Sequence, residues 1–104
     1  MSIEPIFSKL EIHTKGWGDE LWIANNEKYC GKILRFNKGA SFSMHYHIKK
    51  EETWCVTKGI LKLEYFDLEK AERLEKELKE GDTVHLLPSV PHKLTALEDS
   101  SVFE

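Results

Sequence analysis

Four residues in this chain have the types and spacing to hold a metal ion: His45, His47, Glu52 and His92. His45 and His47 lie two residues apart in GASFSMHYHIKKEETWCVTKG, the run from Gly39 to Gly59. Strand side chains alternate with a period of two, so a strand here projects both imidazoles from one face. Glu52 follows His47 by five residues and cannot share that face on one uninterrupted strand. The polar Lys49-Lys50-Glu51 therefore predicts a turn that returns Glu52 on the neighbouring strand. His92, delivered by a loop that holds Pro88 and Pro91, is the candidate for the remaining position. Imidazoles with a carboxylate suit a first-row divalent ion (zinc, iron, manganese, nickel or cobalt), and ligand type does not choose among them. Such an ion polarises a carbonyl, lowers the pKa of a bound water or, if it is iron, binds dioxygen.

These residues need a scaffold, and the rest of the chain reads as short strands. Ile3 to His13 alternates loosely at Ile6, Leu10 and Ile12, which predicts an edge strand on this subunit or a partner. Gly16 and Gly18 bracket Trp17, the signal for a tight turn with an anchored aromatic. Leu21-Trp22-Ile23 is a short strand, Asn25-Asn26-Glu27 a hairpin turn and Tyr29 to Phe36 the next strand. Trp17 and Trp22 read as packing residues. Leu61, Leu63 and Tyr65 alternate with Lys62 and Glu64, the pattern of a strand with one buried face. Thr83 to Leu87, Lys93 to Leu97 and Ser101 to Phe103 complete the set. Asp67 to Glu80 is ambiguous: it is rich in helix formers, and Ala71, Leu74 and Leu78 fall at helical spacing. Many short strands with glycine turns predict an all-β barrel or sandwich in one domain, residues 1–104.

Composition narrows the class. With 104 residues, 40% of them hydrophobic and 32% charged, the chain can build a single core. A net charge of −3 gives no reason to expect nucleic acid or an anionic membrane as partner. Cys30 and Cys55 form no CxxC pair, and Glu4 and Pro5 interrupt the apolar run that a signal peptide needs. The expectation is a cytoplasmic protein.

The spacing resembles the first motif of the cupin superfamily: glycine, five residues, HxH, four residues, glutamate, six residues, glycine. Gly39, His45, His47, Glu52 and Gly59 fit it without a gap. Gly81-Asp82 opens GDTVHLLPSVPHKL, which is similar to the second motif (residues 81–96) in degenerate form. Leu87 stands where the motif has proline, Ser89 where it has glycine and Ala96 where it has asparagine, while His92 matches its metal ligand. The resemblance implies a jelly-roll barrel, the double-stranded β-helix, with His45, His47, Glu52 and His92 around one divalent metal. In that frame Leu68–Glu72 is a turn and Leu74 to Lys79 a strand. By analogy two copies pair as a homodimer.

A finer resemblance ranks the reactions. Trp17, Gly18, Tyr29, Lys32, Gly39, Ser43, Tyr46, His47, Lys50, Glu52, Trp54, Val56 and Gly59 match the cupin domain of mannose-6-phosphate isomerases of the type fused to mannose-1-phosphate guanylyltransferases. That implies aldose–ketose isomerisation of a sugar phosphate, with Lys32, Lys50, Lys93 and Trp54 as candidate substrate contacts. No residue stands out as the base. Two other classes stay open: an iron-dependent dioxygenase with Phe36, Phe42, Met44 and Trp54 lining its pocket, and a non-catalytic module that binds a small sugar-like ligand.

Overall fold

The computed structural model describes residues 3–104. They form nine strands: β1 (Glu11–Lys15), β2 (Gly18–Asn25), β3 (Cys30–Phe36), β4 (Glu52–Lys58), β5 (Ile60–Asp67), β6 (Glu72–Lys79), β7 (Thr83–Leu86), β8 (His92–Ala96) and β9 (Ser100–Phe103). All pairings are antiparallel, in a six-stranded sheet ordered β1-β2-β3-β9-β4-β7 and a three-stranded sheet ordered β6-β5-β8. This is the expected all-β jelly roll. No helix among the described residues is long and apolar enough to cross a membrane.

Alternation builds the core. Leu34 and Phe36 on β3, Trp54 and Val56 on β4, and Val102 on β9 face inward from the large sheet. Leu61 and Leu63 on β5, Leu78 on β6, and Leu94 and Ala96 on β8 meet them from the small one. Leu61, Leu94 and Ala96 have no exposed surface. Trp17 behaves as a packing residue, its ring stacked on Phe36 at 4.4 Å between centroids. Trp22 stacks on His13 at 3.8 Å near the sheet edge.

Three expectations need correction. Ile3 to Leu10 carries no strand, and β1 starts only at Glu11; within this chain the arm joins no ladder, so the edge strand expected on this subunit is not formed. The run holding His45 and His47 is not a strand either. Isolated bridges join Ser41 to Thr95 and His45 to His92. Four residues on one side span three on the other, and that extra residue interrupts the ladder in the manner of a bulge. In the ambiguous segment the strand starts at Glu72, two residues before the expected Leu74, and pairs with β5 over its whole length. Leu74 and Leu78, four apart, share a face in a strand as they would in a helix, which is why periodicity alone did not separate the two.

The motif glycines have a backbone reason. Gly39, Gly59 and Gly81 have φ of +82°, +89° and +90°, a region costly for residues with a Cβ. Gly59 carries a second constraint, because a Cβ there would lie 2.6 Å from the Asp99 carbonyl oxygen. At Gly81 a Cβ would meet nothing within 4 Å. Gly59→Ala is therefore expected to cost on the order of 3 kcal/mol, and Gly81→Ala about 1 kcal/mol, in urea unfolding. Equal losses at the two positions would contradict the steric argument.

Candidate metal centre

One loop and two strand starts bring the predicted ligands together. The 40–51 loop supplies His45 and His47, β4 opens with Glu52, and β8 opens with His92. The facing ring nitrogens of His45, His47 and His92 all lie within 4.8 Å of one another. Glu52 Oε1 lies 3.8 Å from His47 Nε2 and 3.8 Å from His92 Nε2. The four side chains lie close together, although no continuous strand carries the first two.

Local hydrogen bonds aim the rings. His45 Nδ1 lies 2.9 Å from the Ser43 carbonyl oxygen, and His92 Nδ1 lies 2.9 Å from that of Val90. In both cases the acceptor is two residues back. Pro91 between Val90 and His92 fixes its own φ and stiffens this bend. An Nδ1–H that donates to a carbonyl leaves Nε2 with a free lone pair, the tautomer a metal needs. His92 Nε2 is buried and has no hydrogen-bond partner among the described residues. An unsatisfied buried polar atom costs about 1–3 kcal/mol, a cost that ligation of a cation removes. The donor set fits a divalent transition metal.

The surroundings sharpen the electrostatics. Phe42 packs 4.7 Å from His45 and 6.1 Å from His92 between ring centroids, and Trp54 lies 5.5 Å from His92. Burial against these rings pushes the His92 pKa below the ordinary imidazole value, and His45 and His47 add to the effect. The Val90 carbonyl and Glu52 oppose it without reversing it. Lys50 Nζ sits 3.1 Å from Glu52 Oε2. One carboxylate oxygen is thereby held by an ammonium while the other faces the imidazoles. Burial opposes the charge on Lys50, but this bond and the nearby negative groups raise its pKa above the usual lysine value.

A cavity of about 180 Å³ opens over the ligands, lined by Trp17, Glu20, Lys32, His45, His47, Lys50, Glu52, Trp54 and Glu104, with Leu34 and Phe42 beneath. Lys32 lines it, its ammonium 4.4 Å from the centre of the Trp22 ring. Trp54 lines it too, but its indole N–H already donates to Glu104 Oε2 at 3.2 Å. Lys50 positions Glu52. Lys93 does not reach the cavity: on β8 His92, Leu94 and Ala96 face inward, so alternation turns Lys93 to the outside.

Glu104 escaped the reading of the sequence. Its N–H and C=O pair with the C=O and N–H of Lys32, both at 2.9 Å, extending the ladder by one residue. Ser100, Val102 and Glu104 then share the inward face, and a carboxylate on an inward strand position was the available signal. Burial raises its pKa above the ordinary glutamate value, and the negative charge of Glu52 adds to the rise. A larger apolar groove of about 580 Å³, between β6 and β7, contains none of the four ligands.

Residues 32–103 match the cupin domain family. The chain is a cupin. No curated protein matches it in sequence. Among solved structures it resembles the CENP-C cupin domain of Drosophila melanogaster, with a TM-score of 0.79 and 16% identity over 91% of this chain and 73% of that one. It also resembles the oxalate decarboxylase of Bacillus subtilis, described with Mn(II) centres, with a TM-score of 0.79 and 22% identity. That match covers 93% of this chain and 27% of the larger enzyme. CapF, solved with the inhibitor 3-isopropenyl-tropolone, gives a TM-score of 0.78 at 16% identity, over 91% of this cupin and 29% of CapF. At these identities the likeness concerns the fold.

Elemental analysis of the purified cupin is expected to find a transition metal that falls sharply in His45→Ala and His92→Ala. A metal-free protein that takes up neither zinc, iron nor manganese would contradict the centre. His92 also sets the sign of a pH effect. Its folded pKa lies below the unfolded value of about 6.5, so the unfolded chain binds the proton first as pH falls. Stability of the metal-free cupin should be independent of His92 above that value and decline below it. His92→Asn should flatten this part of the profile in urea unfolding between about pH 5 and pH 8.

Proposed function

We propose that this cupin binds one divalent transition metal through His45, His47, Glu52 and His92 and isomerises a small phosphorylated sugar between its aldose and ketose forms. The observation that carries the reading is the buried, unpartnered Nε2 of His92, aimed at the two other imidazoles and the free oxygen of Glu52. A divalent ion bound there supplies Lewis-acid stabilisation of the negative charge that develops on neighbouring sugar oxygens. Lys32, the cavity lysine with no carboxylate within salt-bridge distance, meets the phosphate. Lys50 holds Glu52 in place through its contact with Oε2. Phe42 and Trp54 form an apolar floor that keeps water from the reacting carbons.

Isomerisation removes a proton from C2 of the aldose and returns one to C1, while the hydroxyl proton on C2 passes to the oxygen of C1. Glu104 is the carboxyl group in this cavity assigned to the carbon-bound proton: burial raises its pKa, whereas Glu52 is committed to the centre and both oxygens of Glu20 are engaged, one by the Trp22 indole at 2.8 Å and the other by Lys15 at 4.0 Å. The cavity of about 180 Å³ suits a single small polar ligand. The chain is proposed to act as one domain, in the cytoplasm, as a homodimer. Both cysteines are free thiols, in keeping with a reducing compartment.

Phe42 over His45 favours one rival, an iron dioxygenase whose apolar wall shields an oxygen-binding face. Turnover separates the two readings. The metal-loaded cupin should interconvert mannose 6-phosphate or a related aldose phosphate with its ketose, and exchange the C2 hydrogen with solvent deuterium. Glu104→Gln should keep its metal and lose at least about a hundredfold in kcat, the usual contribution of a positioned acid–base group. Oxygen uptake by an iron-loaded sample without isomerisation would favour the rival. Tight ligand binding with neither activity would favour a non-catalytic module.

A further inference from the structure

The outer face of the six-stranded sheet carries an apolar row that is half-buried at Leu21, Ile33 and Cys55 and exposed at Ile12 and Phe103. Ile12 pairs with Leu21, Leu21 with Ile33, Ile33 with Phe103 and Phe103 with Cys55, in direct register across five strands. The next row, Glu20, Leu34, Val102 and Val56, faces the core, so alternation turns the first row outward. Ile12 is 62% exposed and Phe103 is 43% exposed. Polar groups flank the row at the Asp19–Arg35 ion pair on one side and at Thr53 and Thr57 on β4.

A second unpartnered feature runs straight into this row. The arm before β1 is apolar at Ile3, Ile6, Phe7 and Leu10, and the first three are 98%, 96% and 89% exposed. It projects from the body, which stretches the molecule to 57 Å against 30 and 24 Å in the other directions. It makes no ladder with its own chain.

We propose that these two surfaces belong to one interface: the 3–10 arm of each copy lies across the Ile12–Cys55 row of a second copy, reciprocally about a two-fold axis. The dimensions agree. Eight residues extend over ~26 Å, and the row spans four strand spacings, or ~19 Å. Arm and row occur once each per chain, so a closed pair satisfies both with nothing left over. The exposed apolar side chains of arm and row would bury about 100 Å² each, giving on the order of 500 Å² of apolar surface per copy. A stable interface of about 800 Å² per partner, somewhat more than half of it apolar, needs that amount. This inference deepens the proposed homodimer and is independent of the chemistry at the metal centre.

Light scattering on the full chain is expected to give a dimer, and Phe7→Glu in the arm and Ile12→Glu in the row are each expected to give monomers that retain the wild-type circular dichroism and metal content. Mixing the two variants in equal amounts leaves one intact arm opposite one intact row, so dimer should partly return. A wild-type monomer at every concentration would overturn both the homodimer and this interface. A dimer that survives Phe7→Glu would overturn the interface while the homodimer stands. A mixture no more dimeric than either variant alone would overturn the placement of arm on row.

Discussion

Two backbone hydrogen bonds hold the candidate metal centre together. His45 donates to the His92 carbonyl at 3.1 Å, and His92 donates to the His45 carbonyl at 2.8 Å. They form a single bridge outside the regular ladders, yet they fix two candidate ligands that are far apart in the sequence. The ring centroids of His45 and His92 end 4.6 Å apart. Side-chain hydrogen bonds to the carbonyls two residues back then set ring orientation. The geometry of the centre is thus written mostly in backbone, on a strand start buried under Trp54 and Phe42. Rigid support of this kind lets a binding site persist without its ligand.

Around this bridge the charged groups form a graded set. Glu52 faces the imidazoles with one oxygen and Lys50 with the other, so its charge is already partly compensated. Glu104, deeper in the wall and near Glu52, is pushed toward its neutral form. The two carboxyl groups of one small cavity thus have different neighbours: an ammonium and imidazoles for Glu52, burial and the Glu52 charge for Glu104.

Much of this was legible in the sequence, for physical reasons that can be traced. The motif glycines mark turns where φ is positive, and their spacing carried the frame in which His92 could be placed despite the loss of the proline, glycine and asparagine around it. Strand alternation located the core, because Leu61, Leu63, Leu94 and Ala96 keep a strict period of two. The failures have equally specific causes. The bulge before His45 adds one residue that no composition reveals. Lys93 was a plausible contact only while the inward phase of β8 was unknown. Glu104 lies at the end of a short strand, where alternation has few residues from which to be read. The finer likeness to a sugar-phosphate isomerase is one of sequence pattern.

The strand that most resembled a helix has a further consequence. β6 lies at one edge of the small sheet, with a row of unpaired backbone groups facing solvent beside an apolar groove. Such an edge is a template on which identical chains can stack into aggregates. Glu72, Arg73, Glu75, Lys76, Glu77 and Lys79 crowd this one with charge, and its apolar residues are confined to Leu74 and Leu78. A neighbour approaching the edge would have to strip water from those charges before gaining any hydrogen bond. The composition that obscured the strand is what keeps it from recruiting another.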